Sequence, residues 1–494
     1  MTEDPVRTLS ERGAPARPQT AAAEAGNELW HIEQHGIDAI PDDERSGSAR
    51  ELFWVWLGGN VSLTYIIIGG AMVALGLGFW AAVAAIVLGN LLFVVVGLGG
   101  VAGPRAGTAT MVVSRAAFGL RGNLVPTLLA WLTVVGWQAV FLVLSAFATF
   151  SLAGEVGIHT GTAVKLILLV ALVLVTYGAA VLGHATILFL QKVFTYLLGA
   201  IMIGVAIQVA LKGNVHYKPE GLAASTKLAT FCLATMIVAA LPLSLANYPS
   251  DYSRYLPRDT SARAIVGWTV LGNLIPAIAI SIVGVLAAGV ADLSDPVAGL
   301  KPLLASWYFV PFLIVVIGGS ITNNFLNTYT SGLTLLALGV RLPRWKTIII
   351  DAVIATGLSV YAIFFYDFTT AFTNFLSLTV AWLAPWCAIF LVDGMLRRFR
   401  YRTEDLLASR DGQYWFAGGV NRAGAASFLL GALATFFTTN ATKWQSPIST
   451  DLLGGADLSI PVGMLVAGGM YFVLQRRSPA MLPDREPVAV GQSA

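Results

Sequence analysis

The feature that most constrains this chain is a series of apolar runs too long for the core of an ordinary soluble domain. Examples cover residues 81–100, 264–290 and 347–366. A helix needs about 20 apolar residues to cross about 30 Å of hydrocarbon. Only 12% of the residues are charged, against about 25% in an average soluble domain. The sequence therefore predicts an all-α polytopic membrane protein.

Hydropathy along the chain predicts twelve transmembrane helices. The eighth is longer than a bilayer requires, so we expect it to tilt or to extend beyond the hydrocarbon. The predicted spans cover residues 52–77, 79–100, 124–150, 163–183, 186–210, 229–249, 264–290, 304–338, 347–366, 369–393, 424–440 and 459–475.

The distribution of Lys and Arg orients these spans, because cytoplasmic loops are enriched in both residues. With the amino terminus in the cytoplasm, 23 of the 30 basic residues fall on the inner side and five on the outer side. Lys165 and Lys192 lie at span ends. The asymmetry predicts a multi-pass protein of the cytoplasmic membrane with both termini inside the cell.

The same reading divides the chain into five parts. Residues 1–50 are polar and lack an apolar core, so they predict a disordered cytoplasmic tail and not a cleavable signal peptide. A ten-helix core follows over 51–395. A basic cytoplasmic loop covers 396–423, two peripheral transmembrane helices cover 424–475, and a second cytoplasmic tail covers 476–494.

Several function classes are disfavoured by composition. Cys232 and Cys387 both lie in apolar segments and the five histidines are scattered, so neither a disulfide framework nor a metal-ligand set is predicted. No convergent nucleophile or carboxylate pair points to an enzyme, and no phosphate-binding loop points to ATP-driven transport. The net charge of +3 comes from the orienting basic residues and does not indicate nucleic-acid binding.

Two spans carry residues that interrupt helices. The first contains Gly58, Gly59 and Asn60, and the sixth contains Pro242 and Pro249. Glycine and proline weaken a helix and free backbone groups. In one interpretation they only kink two membrane helices. In the other, broken helices five spans apart indicate a five-plus-five inverted repeat with a binding site at the membrane midplane.

The eighth span carries the densest polar cluster of the membrane part. The stretch GGSITNNFLNTYTSG, residues 318–332, holds three asparagines and six hydroxyl residues. Asn323 and Asn327 are four residues apart and share one helical face, whereas Asn324 lies about 100° around the helix. Such groups need partners, and the alternatives are a bound ligand and hydrogen bonds to neighbouring helices.

Three motifs occur in order along these spans. The second span is followed by GPRAGTATMVVSRAAFGLRGN (103–123), the sixth is followed by SDYSRYLP (250–257), and the eighth contains TNNFLNTYTSGLTLLALG (322–339). Together they resemble the nucleobase–cation symporter family 1, in its purine–cytosine permease branch, over roughly residues 50–475. The resemblance implies a leucine-transporter-type fold with ten core helices and two extra ones, which works by alternating access.

The resemblance also implies site residues. Trp137 corresponds to an aromatic shelf for a flat heterocycle, and Asn327 to a residue that contacts the substrate, with Asn323 shaping the site. Leu245 falls where the family often places the opposite aromatic shelf. The backbone around Ser244, Ala246 and Asn247 is then expected to read the edges of the ring.

One departure concerns the third span. The family commonly places Asn or Gln four residues after the aromatic shelf, and this chain has Phe141 there. Gln138 adjoins Trp137 but points about 100° away. Whether Gln138 compensates in substrate binding or bonds a neighbouring helix stays open at this point.

The coupling ion also stays open. The resemblance assigns Thr322 a hydroxyl that helps to bind Na⁺, together with carbonyls near Gly58 and Gly318, but the neighbouring hydroxyl position is Ile321 here. Asp351 and Asp393 lie near the inner ends of their spans, so no mid-membrane proton carrier stands out.

These observations predict a symporter that imports a nucleobase such as cytosine or a purine with H⁺ or Na⁺. No cofactor is expected apart from Na⁺ as a candidate coupling ion. A vitamin precursor, nucleoside, allantoin or hydantoin is the alternative cargo for the same fold. A membrane-bound enzyme and a channel are the alternatives of a different class.

Overall fold

The computed structural model describes residues 36–180, 184–219, 221–293, 295–408, 410, 412–441 and 443–478, with the backbone alone at 179–180, 184–191 and Arg344. Most of the predicted tails, at 1–35 and 479–494, therefore lie outside the described residues. The segment 36–49 packs against residues 104–107. Ile40 is buried, and its backbone N–H donates to the carbonyl of Gly107 over 2.9 Å. The Arg45 guanidinium donates to the carbonyl of Pro104, also over 2.9 Å.

The described part of the chain is almost entirely helical. The first predicted span consists of α1 (Arg50–Asn60) and α2 (Thr64–Ala74), which are bent by 59° at the break between them. The sixth consists of α11 (Lys227–Ser244) and the single turn α12 (Pro249–Ser253), separated by four non-helical residues. Both predicted interruptions are thus present.

The other helices follow the predicted order of spans. They are α3 (Phe79–Asn90), α4 (Phe93–Gly100), α5 (Ala102–Ala106), α6 (Thr110–Val113), α7 (Arg115–Phe118), α8 (Leu124–Glu155), α9 (Thr162–Ala180), α10 (His184–Lys212), α13 (Ala262–Ala288), α14 (Ser306–Ala337), α15 (Arg344–Phe364), α16 (Phe368–Leu396), α17 (Thr403–Leu407), α18 (Arg422–Phe437) and α19 (Ser459–Gln475). A 3₁₀ turn covers Ala298–Leu303 and a π turn covers Ile448–Leu452. Two short strands, β1 (Asn440–Ala441) and β2 (Trp444–Gln445), pair antiparallel.

Eight helical segments of the described chain are long and apolar enough to cross a membrane, and nine are if α1 and α2 form one broken span. Among these segments, α3 to α5 count as one, Phe79–Ala106. Three shorter apolar helices, Thr162–Gly178, α18 and α19, coincide with the predicted fourth, eleventh and twelfth spans. The multi-pass, all-α membrane architecture is confirmed, whereas the number of twelve spans stays a prediction.

The second half of the broken first span is held tightly against α13 by two glycines. A methyl group on Gly69 would lie 2.0 Å from the carbonyl oxygen of Ser281, and one on Gly284 would lie 2.3 Å from that of Ile66. Real Cβ atoms do not approach backbone atoms so closely. The missing side chains therefore allow α2 and α13 to pack backbone against backbone.

We expect Gly284→Ala to push α2 and α13 apart and to destabilise the protein by ~1–3 kcal/mol, as overpacking of a filled interface does. Gly267→Ala on the same helix is the matched control, because a methyl group there meets no atom within 4 Å. The measurement is the melting temperature of the detergent-solubilised protein. Equal melting temperatures for the two variants would contradict the close approach.

Candidate functional site

A central cavity lies where the two helix breaks face α8 and α14. It contains about 600 Å³ of empty space, part of it open to solvent. Its walls combine aromatic side chains with a small number of amides and hydroxyls, the usual composition of a small-molecule site. The lining residues are Val55, Trp56, Gly59, Asn60, Thr64, Tyr65, Trp137, Phe141, Leu241, Leu245, Tyr248, Tyr252, Asn323, Leu326 and Asn327.

The break between α1 and α2 is stabilised by the side chain of Asn60. Its Nδ2 donates to the carbonyl of Trp56 over 2.8 Å and to Oδ1 of Asn273 on α13 over 2.7 Å. Its Oδ1 accepts a bond from the hydroxyl of Tyr65. These bonds connect the end of α1 to α13 and to the start of α2. Asn60 was recognised in the sequence as part of the break, but not as a wall of the cavity.

Trp137 forms part of the α8 wall and is 5% exposed. Its ring contacts Phe141 at 6.0 Å between centroids, and Phe372 and Phe375 of α16 at 6.0 and 5.6 Å. These three rings fix the orientation of the indole. The indole Nε1 is buried and has no hydrogen-bond partner in the described structure, so it is a free donor beside the cavity.

The break in the sixth span contributes Leu245 and two tyrosines. The hydroxyl of Tyr248 is buried and without a hydrogen-bond partner among the described residues. Tyr252 packs edge-on against Trp56, with 5.6 Å between ring centroids, and its hydroxyl lies 3.3 Å from Oγ1 of Thr330. Sequence reasoning looked for the second aromatic at position 245 and missed Tyr248, although the tyrosines of NYPSDYSRY were a visible signal.

The asparagines of α14 divide between two environments. Asn323 and Asn327 line the cavity, as expected for residues on one helical face. Asn323 donates from Nδ2 to the carbonyl of Gly319 over 3.1 Å, whereas Nδ2 of Asn327 has no partner in the described structure. Asn324 faces α8 and donates to the carbonyl of Gln138 over 3.1 Å. The helical spacing thus separates cavity residues from a helix contact.

Three residues proposed from the sequence do not line the cavity. Gln138 is fully buried between helices; its Nε2 donates to Oδ2 of Asp351 over 3.2 Å and its Oε1 accepts from the hydroxyl of Tyr177 over 2.8 Å. Ser244 donates to the carbonyl of Leu241 over 2.6 Å. Asn247 is 1% exposed, and its amide has no partner in the described chain. For Gln138, the structure favours the helix-contact alternative that the sequence left open.

The residues suggested for Na⁺ lie on α1 and α14. The hydroxyl of Thr322 donates within its own helix, to the carbonyls of Gly318 over 3.1 Å and Gly319 over 3.0 Å. Gly318 packs against the ring of Phe194, and Gly58 is buried in α1. In the described part of the chain, no group of three or more His, Cys, Asp or Glu residues is placed to hold a metal ion. The Na⁺ assignment stays a prediction.

Comparison with known proteins identifies the family. The model of a family described as permeases for cytosine/purines, uracil, thiamine and allantoin matches residues 39–463. This chain belongs to that permease family. It is therefore a membrane permease and not an enzyme, and the resemblance seen in the sequence motifs is confirmed.

Individual relatives are similar over most of their length. A putative purine-cytosine permease of Bacillus subtilis is 28% identical over 90% of this chain and 96% of the relative. The purine-cytosine permease of Emericella nidulans is 27% identical over 93% of this chain and 90% of its own. The cytosine permease of Escherichia coli K12 is 25% identical over 69% and 79% of the two chains.

Solved structures show the fold. Mhp1, a nucleobase-cation-symport-1 family transporter, in a closed conformation with bromovinylhydantoin bound, superposes with a TM-score of 0.72 at 19% identity. The match covers 89% of this permease and 94% of Mhp1. Its inward-facing conformation gives a TM-score of 0.71. The architecture of this permease is thus that of an all-α, polytopic membrane transporter.

Proposed function

We propose that this permease imports a nucleobase such as cytosine or a purine across the cytoplasmic membrane, together with H⁺ or Na⁺. The observation that carries the proposal is two unpaired polar atoms on residues that line the cavity, the hydroxyl of Tyr248 and Nδ2 of Asn327, together with the ring of Trp137. Both atoms can donate a hydrogen bond. Cytosine and the purines carry ring-nitrogen acceptors, and several of them a carbonyl, on the edge of a flat ring, which suits two donors beside aromatic walls.

Membership of the permease family supports a small heterocyclic cargo and a coupling ion. One cation that crosses a membrane potential of 100 mV gains ~2.3 kcal/mol, which supports roughly fifty-fold accumulation of the cargo. The names of the Bacillus, Emericella and Escherichia relatives favour cytosine and purines over the alternative cargoes.

The finer architecture belongs to the same proposal. Twelve spans, arranged as a five-plus-five inverted repeat of leucine-transporter type plus two peripheral helices, place both breaks at one midplane site. The substrate-facing residues are Trp137, Leu245, Asn323 and Asn327 from the sequence, with Asn60 and Tyr248 added by the cavity. Gln138, Ser244 and Asn247 support the walls from behind.

The proposed cargo is tested by uptake into cells that express the permease. Radiolabelled cytosine is competed with unlabelled adenine, hypoxanthine, uracil and allantoin, with and without Na⁺ and with a protonophore. Accumulation that a nucleobase outcompetes and that collapses when the ion gradient is removed supports the proposal. Uptake that allantoin alone competes, or that persists unchanged without any gradient, contradicts it.

The orientation predicted by the basic residues is tested with single cysteines. Cysteines at Gly213 and Asp295 should react with an impermeant thiol reagent in intact cells, because both positions fall in outer loops. Cysteines at Arg258 and Arg402 should be protected until the membrane is opened. External labelling at Arg258 would reverse the topology.

Trp137 is expected to stack on the bound ring. A base stacked on an aromatic gains about 1–3 kcal/mol, so Trp137→Ala should weaken cytosine binding by roughly 5–150-fold, whereas Trp137→Phe should retain part of the affinity. The measurement is the dissociation constant of purified variants. Unchanged affinity in a folded Trp137→Ala protein would remove the ring shelf.

Asn327 is expected to bind the edge of the ring. Asn327→Ala leaves a polar atom of the ring without a hydrogen-bond partner, so it should weaken binding by ~1–3 kcal/mol, roughly 5–150-fold. Asn327→Asp keeps the shape but loses the donor, so it should fail to bind cargoes that need that donor. Asn324→Ala is the matched control, since Asn324 contacts α8. If the control alone abolishes binding in folded protein, the wrong helical face has been assigned to the substrate.

A further inference from the structure

A buried carboxylate lies behind the α8 wall of the cavity. Asp351 on α15 is 1% exposed. Its Oδ1 accepts a hydrogen bond from the indole Nε1 of Trp131 over 3.1 Å, and its Oδ2 accepts one from Gln138. The sequence placed this residue near the inner end of its span; in the structure it contacts the first half of α8, at Trp131 and Gln138.

This carboxylate differs from two other buried acids of the described helices. Asp393 on α16 forms a salt bridge with Arg397 at 3.0 Å, and Asp251 on α12 accepts hydrogen bonds from the backbone N–H and the hydroxyl of Thr110 and interacts with the charge of Arg254. Asp351 makes no ion pair with any side chain that the structure describes. The side chain of Arg344 is not among those described. An ionisable residue inside a membrane is expensive to keep charged, and such residues mark ion pathways and proton relays.

The surroundings of Asp351 are polar but almost free of charge. Trp131 and Gln138 on α8 do not titrate. Ser331 on α14 faces the same carboxylate. Among the described neighbours, the titratable group that faces Asp351 is Tyr177 on α9. Its hydroxyl donates to Oε1 of Gln138.

The hydrogen bonds around Gln138 can serve both protonation states of Asp351. With the carboxylate charged, the amide donates to Asp351 and accepts from Tyr177, as in the structure. With the carboxyl protonated, its O–H needs an acceptor. A half-turn of the amide then presents Oε1 to the O–H of Asp351 and Nε2 to the oxygen of Tyr177, whose O–H must turn to another acceptor, so the carboxyl group has a partner in both states.

The same glutamine touches the cavity wall. It directly follows Trp137 on α8, and its backbone carbonyl accepts the bond from Asn324. Asn324 in turn directly follows Asn323, which lines the cavity. The single side chain of Gln138 therefore connects Asp351 to α8 and α14, two elements that form the substrate site.

We propose that Asp351 is the proton-binding site that couples transport, taking up a proton on the outer side and releasing it to the cytoplasm in each cycle. This rests on the proposed function, cation-coupled import, and assigns the coupling ion as H⁺. The test uses the full chain in proteoliposomes, with radiolabelled cytosine supplied in the outer solution.

For one proton per cytosine, a pH difference of one unit supports about tenfold accumulation. We expect wild-type permease to reach this ratio and Asp351→Asn to stay near equal concentrations inside and outside. Asp351→Asn should still exchange labelled for unlabelled cytosine at symmetric pH. Asp351→Glu keeps a titratable group and should restore proton-driven accumulation in part. Asp367→Asn is the control, because it removes an exposed carboxylate and Asn can still cap α16.

A second readout does not depend on the cargo. In pH-difference infrared spectra of the purified permease, the carbonyl band of a protonated carboxyl group should titrate in wild type and Asp367→Asn, and should lose intensity in Asp351→Asn. This measurement decides the assignment even if cytosine is not transported, an outcome that would count against the proposed function alone.

Four results would overturn the proton site. The first is an unchanged infrared band in Asp351→Asn. The second is tenfold accumulation by Asp351→Asn. The third is wild-type accumulation that follows a Na⁺ gradient and ignores the pH difference. The fourth is a folded Asp351→Asn protein that has lost exchange together with accumulation, since that pattern indicates a purely structural role.

Discussion

Backbone groups that leave a helix inside a bilayer have no water to bond, so each break in a membrane helix must bring its own partners. At the first break, the N–H of Val61 donates to the carbonyl of Leu57 and the N–H of Thr64 to the hydroxyl of Ser62, while Asn60 bonds α1 to Asn273 of α13. The rest of the site depends on these bonds, because they stabilise the point at which α1 ends and α2 begins in a new direction. The cavity forms where the two interrupted spans face the long, unbroken α8 and α14.

The buried polar atoms of the described helices have two kinds of environment. Many are bonded within or between helices, as are the side-chain donors of Gln138, Asn324 and Thr322. Others have no partner in the described structure, and two of these, the hydroxyl of Tyr248 and Nδ2 of Asn327, belong to residues that line the cavity. A buried polar atom without a partner is destabilising by ~1–3 kcal/mol. At the cavity, a ligand that supplies the partners during transport would offset that cost.

Much of the architecture could be predicted from the sequence, because the signals were local. Apolar length predicted the spans, and Gly58 with Pro249 predicted the two breaks. The helical spacing of Asn323, Asn324 and Asn327 predicted which of them face the cavity.

What could not be predicted depended on how helices pack across the molecule. Tyr248 replaced position 245 as the aromatic of the second break, since the exact course of a non-helical segment is not a periodic property. The environment of Asp351 was missed for a related reason. Its distance from the end of its own helix said nothing about the neighbouring helices that bury it.

The close contact of Gly69 and Gly284 has a mechanical consequence. α2 is only eleven residues long, and a short half-helix next to a break would by itself be a freely swinging arm. Its backbone, however, lies directly against α13, a helix of 27 residues. Asn60, the last residue of α1, bonds Asn273 on that same helix. Both halves of the first span are thus attached to α13, one on each side of the break at residues 61–63, so a movement of α13 would carry both halves and the cavity wall between them.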